Sequence, residues 1–250
     1  MTRKKIVAGN WKMNLTFEQA SELVAVMEDR LSQSPAECEV IIAPPAPFLG
    51  LLAKRLESIG IAAQNCHQSE KGAFTGEWSA SMLRSLDIPF CIIGHSERRS
   101  IFNEDDEVIA AKVKACDDHG LNTILCCGET LEQRKSGHQK DTVITQLRVA
   151  LQGISSDSMD RIIIAYEPVW AIGTGETATS EQAQEMHEDI RAFLAELYGP
   201  RVAQFTRILY GGSVKPQNAA ELFGMPDVDG GLVGGASLDA DSFMGIISAA

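Results

Sequence analysis

The chain lacks long hydrophobic runs. No stretch of its 250 residues approaches the ~20 consecutive apolar residues that a membrane span requires. Its first segment, MTRKKIVAGNWK, has no apolar core of the kind that a secretory signal peptide contains. These absences exclude a membrane protein and a classical secretion signal. We therefore predict a cytoplasmic protein without a membrane partner.

Basic residues are scarce relative to acidic ones. The chain has 22 Lys and Arg against 34 Asp and Glu, which gives a net charge of -12. Nucleic acids and anionic membranes are bound by basic surfaces, so neither is expected as a partner. An acidic total does not exclude an anionic substrate, because one pocket can be positive while the remaining surface is negative.

Cysteine patterns typical of metal sites are missing. Of the six cysteines, Cys91, Cys126 and Cys127 lie inside apolar runs, which favours buried, reduced thiols. A zinc site would need a second pair of ligands at short spacing. The pair Cys66-His67 has no such second pair. We therefore predict no metal site.

Short apolar runs alternate with longer amphipathic segments along the whole chain. Most of the runs are almost continuously apolar, as expected for strands buried on both faces of a parallel sheet. The eight predicted strands are Ile6 to Gly9, Val40 to Ala43, Ile61 to Gln64, Cys91 to Gly94, Thr123 to Cys127, Ile162 to Tyr166, Arg207 to Tyr210 and Gly231 to Val233.

Helices are predicted between these strands. Capping boxes at Thr16-x-x-Gln19 and Thr179-x-x-Gln182 each indicate a helix start. Pro216 suits the first position of a later helix. The predicted apolar stripe of the first helix consists of Leu23, Val26, Met27 and Leu31.

Eight strand-helix units in a chain of 250 residues match the α/β class and, within it, the (β/α)8 TIM barrel. We predict eight parallel strands with outer helices in a single domain spanning residues 1–250. The alternative is an open doubly wound sheet, which would place a glycine-rich dinucleotide turn after the first strand. That strand is instead followed by Asn10, Trp11 and Lys12.

Chemically useful residues follow the carboxyl ends of five predicted strands, where a barrel builds its active site. They are Asn10 and Lys12; His95, Ser96 and Glu97; Glu167; Gly211, Gly212 and Ser213; and Gly234 and Gly235. Glycine pairs let backbone N–H groups approach an anion closely. Such turns after the last two strands are typical of a phosphate site.

Glu167 ends its strand and is followed by Pro168 and a loop with Gly173 and Gly175 at its tip. This arrangement indicates a general base beside a movable lid. His95 precedes a helix, whose positive end disfavours the imidazolium and favours a neutral donor. Together they suit proton abstraction next to a carbonyl. Taken singly, each residue also fits an ordinary structural role.

Five segments resemble the triosephosphate isomerase family, in order along essentially the whole chain. They are GNWKMN from Gly9, IIGHSERR from Ile92, AYEPVWAIGTGETA from Ala165, YGGSVKPQN from Tyr210 and GLVGGASL from Gly231. The resemblance implies a cofactor-free enzyme that interconverts dihydroxyacetone phosphate and D-glyceraldehyde 3-phosphate through an enediolate, in glycolysis and gluconeogenesis.

The resemblance also implies roles for individual residues. Glu167 corresponds to the base and His95 to the neutral electrophile. The other implied catalytic residues are Lys12, Asn10 and Glu97. The implied substrate-binding residues are Asn10, Trp11, Lys12, Ser96, Gly173, Ser213, Gly234 and Gly235. Trp11 and Trp170 also have packing as their ordinary interpretation. The chain departs from many members at Glu176, where they carry Lys in the second hinge of the lid.

The segment from Gln64 to Glu77 is long for a barrel connection. The resemblance implies that it docks into a second subunit of a homodimer, with Thr75 reaching the partner's site. The alternative is a mobile surface loop.

Two other functions stay open on the sequence. One is a phosphosugar aldolase or epimerase on the same scaffold, although a Schiff-base enzyme would need a lysine within a strand and Lys12 lies beyond one. The other is a non-catalytic phosphate-binding barrel, against which the pairing of His95 with Glu167 argues.

Overall fold

A computed structural model describes residues 3–172 and 177–250. Its strands form a closed barrel in which each strand pairs in parallel with the next one in sequence. β8 returns to β1 with Ile6 opposite Gly230, so the alternative of an open sheet is wrong. The strands are β1 Ile6–Asn10, β2 Glu39–Ala43, β3 Gly60–Ala63, β4 Phe90–Ile93, β5 Asn122–Cys127, β6 Ile162–Tyr166, β7 Arg207–Tyr210 and β8 Gly230–Val233.

The strands are buried on both faces, as their continuous apolar runs predicted. One set of side chains fills the barrel, with Ile41, Ile124 and Ile163 among its members. The alternate set faces outward and joins a larger core under the helices, which includes Val7 and Leu125. Because successive residues of a strand point to opposite faces, each strand contributes to both cores.

Helices surround this barrel. They are α1 Phe17–Gln33, α2 Leu49–Leu52, α3 Ala80–Ser85, α4 Ser96–Ile101, α5 Asp106–Asp118, α6 Leu131–Lys135, α7 Gln139–Ala150, α8 Ser180–Tyr198, α9 Pro200–Phe205, α10 Pro216–Phe223 and α11 Ala240–Ile247. Within residues 3–172 and 177–250, no helix combines the length and apolarity needed to cross a bilayer.

The predicted helix starts are confirmed. Both predicted capping boxes form, at Thr16 before α1 and at Thr179 before α8, and Pro216 begins α10. The apolar stripe of α1 was partly wrong, because Val26 is 42% exposed while Val24 is buried in its place.

Candidate active site

A cavity of about 280 Å³ opens at the carboxyl ends of the strands. This is where a barrel places its chemistry, and the size suits a small substrate. The predicted site residues that line it are Asn10, Lys12, His95, Glu167, Ser213, Gly234 and Gly235.

Glu167 follows β6 and is fixed in place by its backbone and by its carboxylate. Its N–H donates to the carbonyl of Cys127 at 2.7 Å, which extends the pairing of β6 with β5 by one residue. The side chain is 2% exposed. Its Oε2 accepts a hydrogen bond from the backbone N–H of Ser96 at 2.8 Å, and its Oε1 lies 2.9 Å from His95 Nε2.

His95 precedes α4, and its ring orientation follows from two hydrogen bonds. Nδ1 accepts from the backbone N–H of Glu97 at 3.2 Å, so this nitrogen carries no proton. The single ring proton therefore lies on Nε2, which faces Glu167. In this arrangement a neutral imidazole presents one N–H to the cavity.

The pKa of His95 differs from the simple expectation of a depressed value. Burial lowers the pKa of His95, but the adjacent carboxylate of Glu167 raises it by more than burial lowers it. The net direction is therefore upward. That rise depends on the contact between His95 and Glu167. Protonation of Nδ1 would break its hydrogen bond with Glu97, and this contact favours the neutral ring.

Lys12 reaches the cavity from a strained turn after β1. Its φ of 51° is left-handed, and its backbone N–H donates to Asn10 Oδ1 at 3.0 Å. Gln64 holds the turn from β3 by donating to the Lys12 carbonyl at 2.8 Å. The ammonium contacts Glu97 Oε1 at 2.5 Å. These contacts direct one positive charge toward the reacting region.

The loops after β7 and β8 form another part of the cavity wall. Ser213, Gly234 and Gly235 line it, as predicted, and Lys215 joins them. A side chain added at Gly235 would meet nothing within 4 Å, so this backbone faces open space. Two ammonium groups and an exposed glycine turn suit an anionic group, although the whole chain is acidic.

Glu129 lies behind the first turn of the predicted lid and was missed in the sequence. It is completely buried and accepts hydrogen bonds from Trp170 Nε1 at 2.8 Å and Tyr166 Oη at 3.1 Å. Arg134 Nη1 lies 3.3 Å from the same carboxylate. Burial and the charge of Glu129 raise the pKa of Tyr166, so its hydroxyl remains a donor. In the sequence, a Glu five residues before Arg134 gives no signal of this role.

Four positions singled out in the sequence need comment. The indole of Trp11 is completely buried in the outer core, and Trp11 is not among the residues that line the cavity; its contact with substrate stays a prediction. Ser96 contacts Glu167 through its backbone, so it positions the carboxylate. Gly173 lies outside the described residues, as does Glu176.

Comparison with known proteins agrees with this geometry. A sequence profile of the family described as triosephosphate isomerase matches residues 5–250. The chain belongs to the triosephosphate isomerase family. Two similar proteins of that name come from Prosthecochloris aestuarii, 52% identical over 99% of this chain and 98% of the relative, and from Lactobacillus acidophilus, 46% identical over 99% of both. The resemblance drawn from the five segments is thereby confirmed.

Proposed function

We propose that this protein is an aldose-ketose isomerase, an intramolecular oxidoreductase that interconverts dihydroxyacetone phosphate and D-glyceraldehyde 3-phosphate. One observation carries the proposal. A buried carboxylate and a neutral imidazole donor, Glu167 and His95, lie 2.9 Å apart at a small cavity with two lysines in its wall. Family membership over residues 5–250 supports this reaction and a place in glycolysis and gluconeogenesis.

The reaction moves one proton between two adjacent carbons. Glu167 removes the proton from the carbon next to the carbonyl. The electron pair of that C–H bond forms a carbon–carbon double bond, and the π pair of the carbonyl moves onto its oxygen as the enediolate forms. His95 Nε2–H donates to that oxygen, and the ammonium of Lys12 stabilises the negative charge. Return of the proton from Glu167 to the former carbonyl carbon, together with transfer of the hydroxyl proton from one enediolate oxygen to the other by way of His95 Nε2, gives the other triose and restores the Glu167 carboxylate.

Substrate must first release Glu167 from its resting contacts. The carboxylate accepts from the Ser96 N–H at 2.8 Å and contacts His95 at 2.9 Å. When a substrate carbonyl oxygen accepts the hydrogen bond from His95 Nε2–H, the contact between His95 and Glu167 is removed. Binding and activation of the base are thus coupled. We propose that the phosphate lies against Ser213, Gly234 and Gly235, with Gly173 contributing from the lid.

The contacts of Lys12 argue against aldolase chemistry. A Schiff base requires a neutral amine as nucleophile. Lys12 Nζ instead forms an ion pair with Glu97, whose Oε1 lies 2.5 Å away. Its charge therefore serves the enediolate and not covalent catalysis.

A coupled assay on D-glyceraldehyde 3-phosphate tests the function. Glu167→Ala should lower kcat by about 10²–10⁴-fold, because it removes the general base. Glu167→Asp should retain a little activity, since it keeps a carboxylate but withdraws it by one methylene. Glu196→Asp, at an exposed position on α8, makes the same change away from the cavity and should match the unmodified protein. Full activity in Glu167→Ala would show that another group is the base.

We also propose that the protein works as a homodimer of single-domain barrels in the cytoplasm. Thr75 is exposed within the Gln64 to Glu77 segment, and Phe74 and Met82, which are 43% and 50% exposed, line a common groove. Met13, which directly follows Lys12 in the sequence, is 93% exposed. Exposed apolar side chains of this kind typify a subunit interface. Free cysteines at all six positions support a reducing compartment.

A further inference from the structure

Three thiols meet between the barrel wall and a helix, away from the cavity. Cys66 follows β3, Cys91 lies in β4 and Cys116 lies in α5. Their sulfur atoms all lie within 4.8 Å of one another, and the Sγ atoms of Cys66 and Cys116 are 3.6 Å apart. All three residues are completely buried. We call these residues the thiol cluster.

A buried hydroxyl without a partner borders the thiol cluster. Thr123 pairs with Cys91 in the register of β4 and β5, so both side chains stand on the outer face of the barrel. Thr123 is completely buried, and within the described part of the chain its Oγ1 has no hydrogen-bond partner. The surroundings of the sulfurs are therefore not purely apolar.

A buried cation also lies close to the thiol cluster. Lys112 is 3% exposed and lies one turn before Cys116 on α5. Its ammonium donates to Glu104 Oε1 at 2.5 Å and to Asn65 Oδ1 at 2.8 Å. Asn65 directly precedes Cys66, so these contacts hold the Cys66 backbone against α5.

We propose that Cys66, Cys91 and Cys116 form a binding site for a monovalent copper ion. Thiolates are soft ligands that select copper(I) and zinc among cellular metals. Structural zinc takes four ligands. Among residues 3–172 and 177–250, the group of potential metal ligands at this place contains only these three cysteines, with no further Cys, His, Asp or Glu. Three sulfurs complete the trigonal coordination that copper(I) accepts.

Binding exchanges protons for metal without electron transfer. Each thiol gives up its proton when it becomes a ligand. As three copper–sulfur bonds form, the three S–H bonds break and the three protons pass to the buffer. Copper enters already as copper(I).

The experiment supplies the full-length protein, without oxygen, with copper(I) held by the chromophoric chelator bicinchoninate. The unmodified protein should withdraw one copper ion per chain, and X-ray absorption at the copper edge should show three sulfur neighbours. Cys66→Ser, Cys91→Ser and Cys116→Ser should each lose this tightly held ion. Cys38→Ser removes another buried thiol, outside the cluster, and should still bind copper as the unmodified protein does.

Three results would overturn the proposal. They are failure of the unmodified protein to withdraw copper, equal binding by Cys116→Ser, and a disulfide between Cys66 and Cys116 in place of a bound ion. Isomerase turnover of each variant reports whether it has folded, because none of these cysteines lines the cavity. If a variant does not fold, the sulfur count around copper in the unmodified protein decides the question alone.

Discussion

Two glycines determine where Glu167 can lie, because a side chain at either position would overlap it. A Cβ at Gly128 would come within 1.8 Å of the Glu167 carbonyl oxygen, and one at Gly211 within 2.9 Å of Glu167 Cγ. The backbone on both sides of β6 thus approaches Glu167 more closely than any residue with a side chain would allow. Glu167 is positioned by neighbouring strands as much as by its own hydrogen bonds.

Gly128→Ala should therefore impair both folding and turnover. The overlap involves backbone atoms, which cannot rotate away, so the end of β6 must shift. Overpacking of this kind lowers the free energy of unfolding by about 1–3 kcal/mol, and a displaced Glu167 should lower kcat. The measurements are chemical denaturation and the isomerase assay.

Gly50→Ala is the matched control for that substitution. Gly50 lies in α2, and an added Cβ there would meet Leu86 at an ordinary 3.6 Å. Alanine in a helix should leave turnover unchanged and add about 0.5–1 kcal/mol of stability. A Gly128→Ala protein as stable and active as Gly50→Ala would contradict the positioning role.

At the scale of elements, α8 inserts a histidine between two strands. His187 is completely buried, and its ring packs against Tyr166 of β6 and Tyr210 of β7 with centroids 5.9 and 6.4 Å away. Nδ1 lies 3.1 Å from the Asp227 carbonyl, so this nitrogen is the donor. Burial lowers the pKa of His187 to about 4.

This depressed pKa predicts a loss of stability in mild acid. Between pH 6.5 and about pH 4, His187 is protonated in the unfolded chain but neutral in the folded chain. The free energy of unfolding should therefore fall by up to about 3 kcal/mol across that window. His187→Gln should remove this part of the decline, whereas His138→Gln, at an exposed position, should leave it intact. Urea denaturation at several pH values measures both, and identical slopes for all three proteins would refute the assignment.

Local sequence signals predicted the elements well. Thr16 and Thr179 were recognised as helix starts because a cap and its partner lie three residues apart. The strands were recognised because both of their faces are apolar, and their observed bounds differ from the predicted ones by about one residue. Glu129 was missed because Tyr166 and Trp170 are far from it in sequence. The thiol cluster was missed for the same reason, since only barrel closure and helix packing bring its members together.

At the scale of the whole molecule, Lys12 connects the active site to the proposed subunit interface. Its carbonyl is held by Gln64, which begins the segment that carries Thr75. Docking of a second subunit on this segment would therefore stiffen the turn that directs the Lys12 ammonium. Dimerisation and catalysis are expected to be lost together.

Thr75→Arg should separate the subunits. A charged side chain at the proposed contact leaves a cation without water or a partner in the dimer. Light scattering should show a dimer for the unmodified protein and a monomer of reduced activity for the variant. Leu197→Arg, at a position on α8 that is 41% exposed, should remain dimeric and active. A dimeric, fully active Thr75→Arg protein would exclude this interface.

Proton transfer by Glu167 is tested most directly by isomerisation in D₂O, followed by proton NMR of both trioses. A carboxylate that has taken a carbon-bound proton exchanges it with solvent, so deuterium should appear on the carbon next to the carbonyl of the product. Glu167→Ala should abolish both turnover and deuterium uptake. Rapid isomerisation by the unmodified protein with no deuterium in either triose would indicate hydride transfer and contradict the enediolate mechanism.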